Sequence, residues 1–440
     1  MSILILVVGT RGDVAPFIAL GLQLKAAGNR IRIGTHDVYR GDVVGAGLEY
    51  YPLGGDPKKL SSFMVKTEGR LIPNLVSLCR DLPEKTAMLD DIIKTVWPAA
   101  TAVDPEAPEK GRFIADAIIS NPVSYAHIHA AEALGVPLHL MFPQPWTPTK
   151  AFPHPFANLP YTRGWSRQNW ASYYAVDEFF WTGVKPYIND ARVRLMGMDP
   201  IRTGELGAFM TLDNYVPWTF MWSPALAPKP KDWGEHVDVA GNFFTDVDSA
   251  VKDYTPPPAA AAWLDAGDAP IFVGFGSMVI ADTAKLTALI LDAAAAAGVR
   301  VLIQSSWSEL TADNLPDNVF LMGNCPHDWL FPRMGAVVHH GGAGTTAAGL
   351  KYGKPTMICP FFGDQHFWGQ MVYDRGCGPK PVPIVSMTAE VLAESFKELT
   401  SPSCREKAGE MAAAFAKEDG VKAGVESFYK NLPLENMVCQ

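Results

Sequence analysis

The chain has 440 residues, 48% of them hydrophobic and 19% charged, enough for two domains with sizeable cores and too apolar for a disordered protein. A net charge of −9 without a Lys/Arg cluster excludes nucleic acid as a partner, and six scattered cysteines with no Cys-x-x-Cys pair indicate reduced thiols in a cytosolic protein. No run approaches the roughly 20 apolar residues of a membrane helix, and the apolar start at 3–8 is too short for a signal core.

In chain order, residues 3–9 form a buried strand, and 16–27 a helix with Phe17, Leu20 and Leu24 on one face and Gly28 as its stop. Strands follow at 31–35, 115–120 and 138–142, with helices at 74–100 and 124–134. Trp146, Trp165, Trp170, Trp181, Trp218 and Trp222 crowd into the next stretch, as core or as the wall of a greasy cleft. The proline-rich segment 225–258 is a linker. Beyond it, strands at 271–275, 301–304, 319–322, 336–339 and 356–359 alternate with helices, and the chain is helical from 388 to its last helix at 421–432. Alternating strands and helices predict an α/β protein of two Rossmann-like domains, 1–224 and 259–440. Each carries a doubly wound parallel sheet, and their strand ends face across a cleft. The final helix is expected to pack back on the N-terminal domain.

The unusual residues follow strands. After the first comes Gly9-Thr-Arg-Gly-Asp13, which places a carboxylate at a strand end. Asp13 can take a proton from an attacking hydroxyl as the new C–O bond forms, or it can cap the next helix. Phe275-Gly-Ser277 and Asn324-Cys-Pro-His327 follow two strands of the second half. His339-His-Gly-Gly-Ala-Gly-Thr345 follows another and feeds a helix expected to begin at Thr345. A glycine turn at a helix start exposes unsatisfied N–H groups at the positive end of the dipole, a seat for phosphate. No lysine follows, so this is no Walker loop. His339 and His340 lack further ligand-like neighbours, so no metal site is expected. Asp364-Gln365 suits sugar hydroxyls, or Asp364 caps its helix.

Together, Gly9-Thr-Arg-Gly-Asp13, the 339–346 motif and Phe361-Phe-Gly-Asp-Gln365 resemble the family 1 (GT-B) nucleotide-sugar glycosyltransferases. Tyr51-Pro-Leu-Gly-Gly-Asp-Pro57, Pro145-Trp-Thr-Pro148, Phe152-Pro-His-Pro155, Met221-Trp-Ser-Pro224, the 228–234 stretch and the 326–333 stretch narrow the resemblance to sterol 3β-glucosyltransferases. The resemblance implies an inverting transfer from UDP-glucose, a co-substrate, to a sterol hydroxyl, with no metal or other cofactor. Asp13 would be the base, with Thr10 and Arg11 near the donor. Ser277, His339 or His340, Ala343, Gly344 and Thr345 would hold the diphosphate. Cys325, through its backbone, and His327 would meet the uracil, and Asp364 and Gln365 the glucose. Trp146, Trp218 and Trp222 would shape the acceptor pocket. Where broader relatives place a uracil-stacking tryptophan, this chain has Asn324. A monomer with peripheral membrane contact is expected. Transfer to another lipophilic alcohol or phenol is the alternative, and a nucleotide-sugar epimerase, without a greasy pocket, a second.

Overall fold

Continuous apolar runs make the strands. In the first half these are β1 (Ser2–Leu6), β2 (Arg30–His36), β3 (Glu49–Leu53), β4 (Ala117–Ser120), β5 (Leu138–Phe142), β6 (Trp218–Phe220) and β7 (Val237–Val239). In the second they are β8 (Ile271–Gly274), β9 (Val301–Gln304), β10 (Val319–Met322), β11 (Ala336–His339) and β12 (Thr356–Ile358). The structure, a computed structural model, describes residues 1–59, 75–157, 159–161, 164–205, 207–213, 215–244, 254–276, 278, 280, 282–304 and 315–433. Strands β4, β5, β8 and β11 are buried along their whole length, as parallel strands covered by helices on both faces must be.

The helices are α1 (Arg11–Ala26), α2 (Arg40–Gly45), α3 (Leu75–Thr101), α4 (His127–Leu134), α5 (Ser166–Arg194) and α6 (Met210–Asp213), then α7 (Pro258–Asp265), α8 (Thr283–Ala297) and α9 (His327–Leu330). After these come α10 (Ala343–Lys351), α11 (Gln365–Asp374), α12 (Ala389–Leu399), α13 (Pro402–Phe415) and α14 (Gly420–Lys430).

One sheet runs β3-β2-β1-β4-β5-β6-β7 and the other β10-β9-β8-β11-β12, with every pairing parallel. Ile3 sits between Ile31 and Ala117 in the first register, and Val337 between Phe272 and Thr356 in the second. In both sheets the strand order reverses beside the first strand, between β1 and β4 and between β8 and β11. Loops leaving such a pair diverge and open a crevice at the carboxyl ends of the strands, where doubly wound sheets bind ligands.

The chain divides into two compact units. One contains Met1–Pro224, Lys229–Thr245 and Asp419–Gln440; the other contains Ala225–Pro228 and Asp246–Glu418. The segment expected as a linker is thus partly sheet, since residues 229–245 bring β7 into the first unit. Its side chains explain why: Val237 has no exposure, and Trp233 stacks on Phe220 with ring centroids 4.6 Å apart. Helix α14 also belongs to the first unit, where Val421 and Phe428 share a core with Leu20 and Leu24 of α1. A polar relay pins it to the sheet. His139 of β5 meets Thr219 Oγ1 at 2.7 Å, Thr219 donates to Ser427 Oγ at 2.8 Å, and Ser427 donates to Asp238 of β7 at 2.7 Å.

Candidate active site

At the first switch point, Asp13 is fixed by the start of its own helix. Helix α1 begins at Arg11, five residues before the expected Pro16, with Thr10 as N-cap. Asp13 Oδ2 accepts from the Thr10 N–H at 2.7 Å and from the Thr10 hydroxyl at 2.9 Å, the return half of a capping box. Pro16 is tolerated inside the helix because the carbonyl it leaves without a partner, that of Gly12, lies in an exposed turn. The carboxyl at the strand end is thus also the acidic member of the helix's capping box. Burial pushes Asp13 above its ordinary carboxylate value, against the lowering pull of the Thr10 bonds. Thr10 and Arg11 are exposed, and Arg11 pairs at 3.7 Å with Asp42.

Two residues that the sequence did not single out hold this turn. Gly9 has φ 148°, and a Cβ there would lie 2.7 Å from Asp13 Cγ, so glycine is what lets the carboxyl sit where it does. The Gly9 N–H donates to His36 Nε2 at 3.3 Å. His36 Nδ1 lies 3.0 Å from the Gly54 carbonyl and 3.1 Å from that of Gly55, so it carries the ring proton. Burial lowers the His36 pKa and keeps the ring neutral, with Nε2 as acceptor. Asn121, just after β4, clamps Val8 through both backbone groups, at 2.7 and 3.3 Å. The only signal of these two roles in sequence is a polar residue at the end of a strand.

At the second switch point the helix again starts early. Helix α10 begins at Ala343, two residues before the expected Thr345, and its first intrahelical bond runs from the Thr346 N–H to the Gly342 carbonyl at 2.9 Å. The N–H groups of Ala343, Gly344 and Thr345 therefore have no acceptor within the helix. Gly344 is exposed, with Ala343 and Thr345 half-buried. His339 has no exposure; its Nδ1 accepts from the Gly341 N–H at 3.0 Å. His340 is half-buried and lies against the glycines of both loops, since a Cβ on Gly276 would be 3.1 Å from its Cε1 and one on Gly342 2.8 Å from its Nε2. Its Nδ1 has no partner among the described residues. Burial, with His327 nearby, lowers His340 to about 4, so the ring is neutral at pH 7.

The remaining expected residues spread around this centre. His327 stacks on Phe331 with ring centroids 4.4 Å apart, and burial lowers it to about 4. Cys325 is buried, its thiol pushed up to about 11. Asn324 is exposed and accepts from Gln304 at 3.4 Å. Asp364 does not cap α11 with its side chain; Oδ2 accepts from Trp368 Nε1 at 2.9 Å. Gln365 is buried, its Oε1 taking the N–H groups of Phe361 and Phe362 at 2.7 and 3.2 Å, so it shapes the loop after β12. Ser277 lies outside the described residues. Among the described residues no three His, Cys, Asp or Glu side chains gather as a metal site, and no helix is long and apolar enough to cross a membrane.

The first unit also holds a cavity of about 90 Å³ that opens to solvent. Trp146, Phe180, Trp181 and Trp218 supply its aromatic wall, and Pro122 and Tyr125, just beyond Asn121, join it to the β4 loop. Two of the three expected tryptophans thus line one cavity. Trp222, just past β6, is a core residue instead, 1% exposed, stacked on Phe220 at 4.5 Å and 6.2 Å from the Trp233 ring. An acid that the sequence did not flag, Asp177 of α5, lines the same cavity.

Residues 3–153 match the Glycosyltransferase family 28 N-terminal domain, and 288–421 the Erythromycin biosynthesis protein CIII-like C-terminal domain. A sterol 3-beta-glucosyltransferase of Arabidopsis thaliana is 43% identical over 437 residues, covering 99% of this chain and 69% of that protein. A second from the same plant is also 43% identical, over 98% of this chain and 66% of its own length. One from Saccharomyces cerevisiae is 34% identical, and only 35% of its length is matched. Among solved structures, the kitacinnamycin glycotransferase superposes with a TM-score of 0.69 over 98% of this chain and 99% of its own, at 19% identity. The glycosyltransferase VinC in complex with dTDP does so at 0.58 over 98% and 99%, at 17% identity. These two share the fold.

Proposed function

The chain belongs to the sterol 3-beta-glucosyltransferase family and has the GT-B fold, and from that premise we propose that it moves glucose from UDP-glucose to the 3β-hydroxyl of a sterol with inversion. It spans about two thirds of the plant relatives and a third of the yeast one. The observation that carries the chemical reading is Asp13, a half-buried carboxyl at a strand switch point, fixed by two bonds to the same oxygen, Oδ2. Its Oδ1 is left to receive the proton of a sterol hydroxyl as that oxygen attacks the anomeric carbon. Partial desolvation makes Asp13 a better base, and a transfer concerted with attack avoids forming a free alkoxide.

In the other unit, the open N–H groups of Ala343, Gly344 and Thr345 bind the diphosphate of UDP and stabilise the charge that grows on it as it leaves. This reading calls for no metal ion, since the helix end supplies the positive potential. Of the two histidines, His340 is the donor-site residue: its ring lies between the two glycine loops, whereas His339 has no exposure and its Nδ1 is bonded to Gly341. Asp364 takes glucose hydroxyls, Cys325 and His327 meet the uracil, and Thr10, Arg11 and Ser277 complete the donor site. Gln365 acts by holding the loop that presents Asp364. A sterol drawn from a bilayer calls for peripheral membrane contact by a cytoplasmic monomer, and Trp165, Trp170 and Phe179 offer exposed apolar surface for it. The aromatic cavity also suits other lipophilic alcohols; it gives an epimerase no evident use.

The test pairs an assay with a variant. Protein with UDP-glucose and a panel of ergosterol, sitosterol, cholesterol and flavonoids should yield a β-glucoside of the sterols. Glucosylation of flavonoids alone would refute the sterol reading. Asp13→Asn should cut kcat by roughly 10²–10⁴-fold, the usual worth of a general base, with UDP affinity little changed. Near-normal turnover would remove Asp13 from its role.

A further inference from the structure

The inward face of α5 reads Tyr173, Val176, Phe180, Trp181, Val184 and Ile188, and Asp177 interrupts it. Asp177 makes no hydrogen bond or ion pair with another described residue, and it lines the aromatic cavity of the first unit. Across β6, Trp218 lines the same cavity at 2% exposure, and its Nε1–H has no partner among the described residues. Buried polar groups without partners are rare and call for an explanation. Both histidines of the cavity are already engaged. His127 Nδ1 meets Ser124 Oγ at 3.1 Å, and His129 Nδ1 meets Arg192, which in turn binds Glu132 at 2.6 Å.

A simple sterol has one oxygen, and in the reaction proposed above that oxygen goes to Asp13. Such a ligand would leave both Asp177 and Trp218 desolvated and unpaired. We propose that Asp177 and Trp218 form a polar subsite for a second oxygen of the acceptor, a hydroxyl or ketone elsewhere on its ring system or side chain. Asp177 is then a specificity-determining residue for oxygenated sterols. The apolar setting pushes its pKa to about 8, so at pH 7 the acid is largely protonated. A neutral carboxyl donates to a hydroxyl or keto oxygen, its carbonyl accepts from a hydroxyl, and the indole N–H donates to either.

This subsite rests on the reading of the cavity as an acceptor pocket, so its test is binding without donor, which does not require turnover. Quenching of tryptophan fluorescence would give Kd for cholesterol, 7-ketocholesterol, 20-hydroxycholesterol and 25-hydroxycholesterol. At least one oxygenated congener should bind the wild type about tenfold or more tightly than cholesterol. Asp177→Leu, which continues the apolar stripe, should reduce that ratio to within about twofold, and Asp177→Asn should keep most of it. Trp218→Phe, which removes only the N–H from the ring edge, should lower the ratio in part and serves if the leucine variant does not fold. Absence of any preference in the wild type, or a preference that survives both Asp177→Leu and Trp218→Phe, would overturn the subsite and leave the two groups to bound water. Preferred binding without glucosylation of any sterol would uphold the subsite and refute the transferase reading.

Discussion

Asp13 and Asp177 are both carboxyls shielded from water, and their partners set them apart. Asp13 receives two bonds that favour its charged form, while Asp177 receives none from a described residue. The difference has a consequence for stability. An unfolded aspartate titrates near 4, and folded Asp177 near 8. Between those values the native state holds a proton that the unfolded chain has released, so stability falls as pH rises from about 4 to about 8 and is level above. Asp177→Asn has no such proton. Its melting temperature should gain on the wild type between pH 5 and pH 8; thermal melts at the two pH values check this, and an equal difference at both would show that Asp177 ionises as it does in water. Asp13 is common to both proteins and cancels. Asp13 was visible in the sequence because it follows an apolar run closed by glycine. His36 and Asp177 were not, since one looks like any strand end and the other lies inside a stretch that showed only an excess of tryptophan.

The element that matters most is the turn between β11 and α10. Gly341 sits at φ 99°, and a Cβ there would lie 2.6 Å from Ile358 Cγ2 and 3.1 Å from Gln365 Cβ. Left-handed backbone strains any other residue by about 1–2 kcal/mol, and the contact with β12 adds to it. Gly341→Ala should therefore move the start of α10 and weaken UDP binding by about tenfold or more, measured by calorimetry; unchanged affinity would mean that the turn does not position the diphosphate. Long apolar strands and this glycine turn were plain from periodicity. The start of α1 was not, because Pro16 suggested a first helical residue and the capping box uses Asp13 where Glu or Gln is usual. Strands β6 and β7 have three residues each, too few for alternation to show, and prolines around β7 pointed to a linker.

For the whole molecule, the decisive feature is that the last described helix belongs to the first unit. Val421, Phe428 and Leu432 are buried in that unit's core. At ~1.5–3 kcal/mol for each large apolar side chain, their loss would remove ~5–9 kcal/mol, comparable to the ~5–15 kcal/mol that holds a domain together. Gly420 and Gly424 show how closely the helix docks, because a Cβ on either would overlap the backbone of Asn242 or the ring of Phe243. A chain ending at Glu418 should lose the cooperative melting of the first unit and keep that of the second. Two-transition calorimetry checks this, and an intact first-unit transition would show that α14 is dispensable. Both units and their strand alternation were legible in sequence; the sharing of 225–258 was not, because only tertiary packing assigns so short a strand to a sheet.

The same helix sets a timetable. A chain emerging from the ribosome usually completes its domains from the N-terminus onward. Here residues 246–418 are a continuous stretch that can close as soon as it is made, whereas the earlier unit waits for its last helix. The face of α1 that α14 covers, with Leu20 and Leu24, stays bare throughout that interval. The half whose synthesis starts first is completed only after the other, and the newborn chain is most exposed to aggregation in the interval before α14 is made.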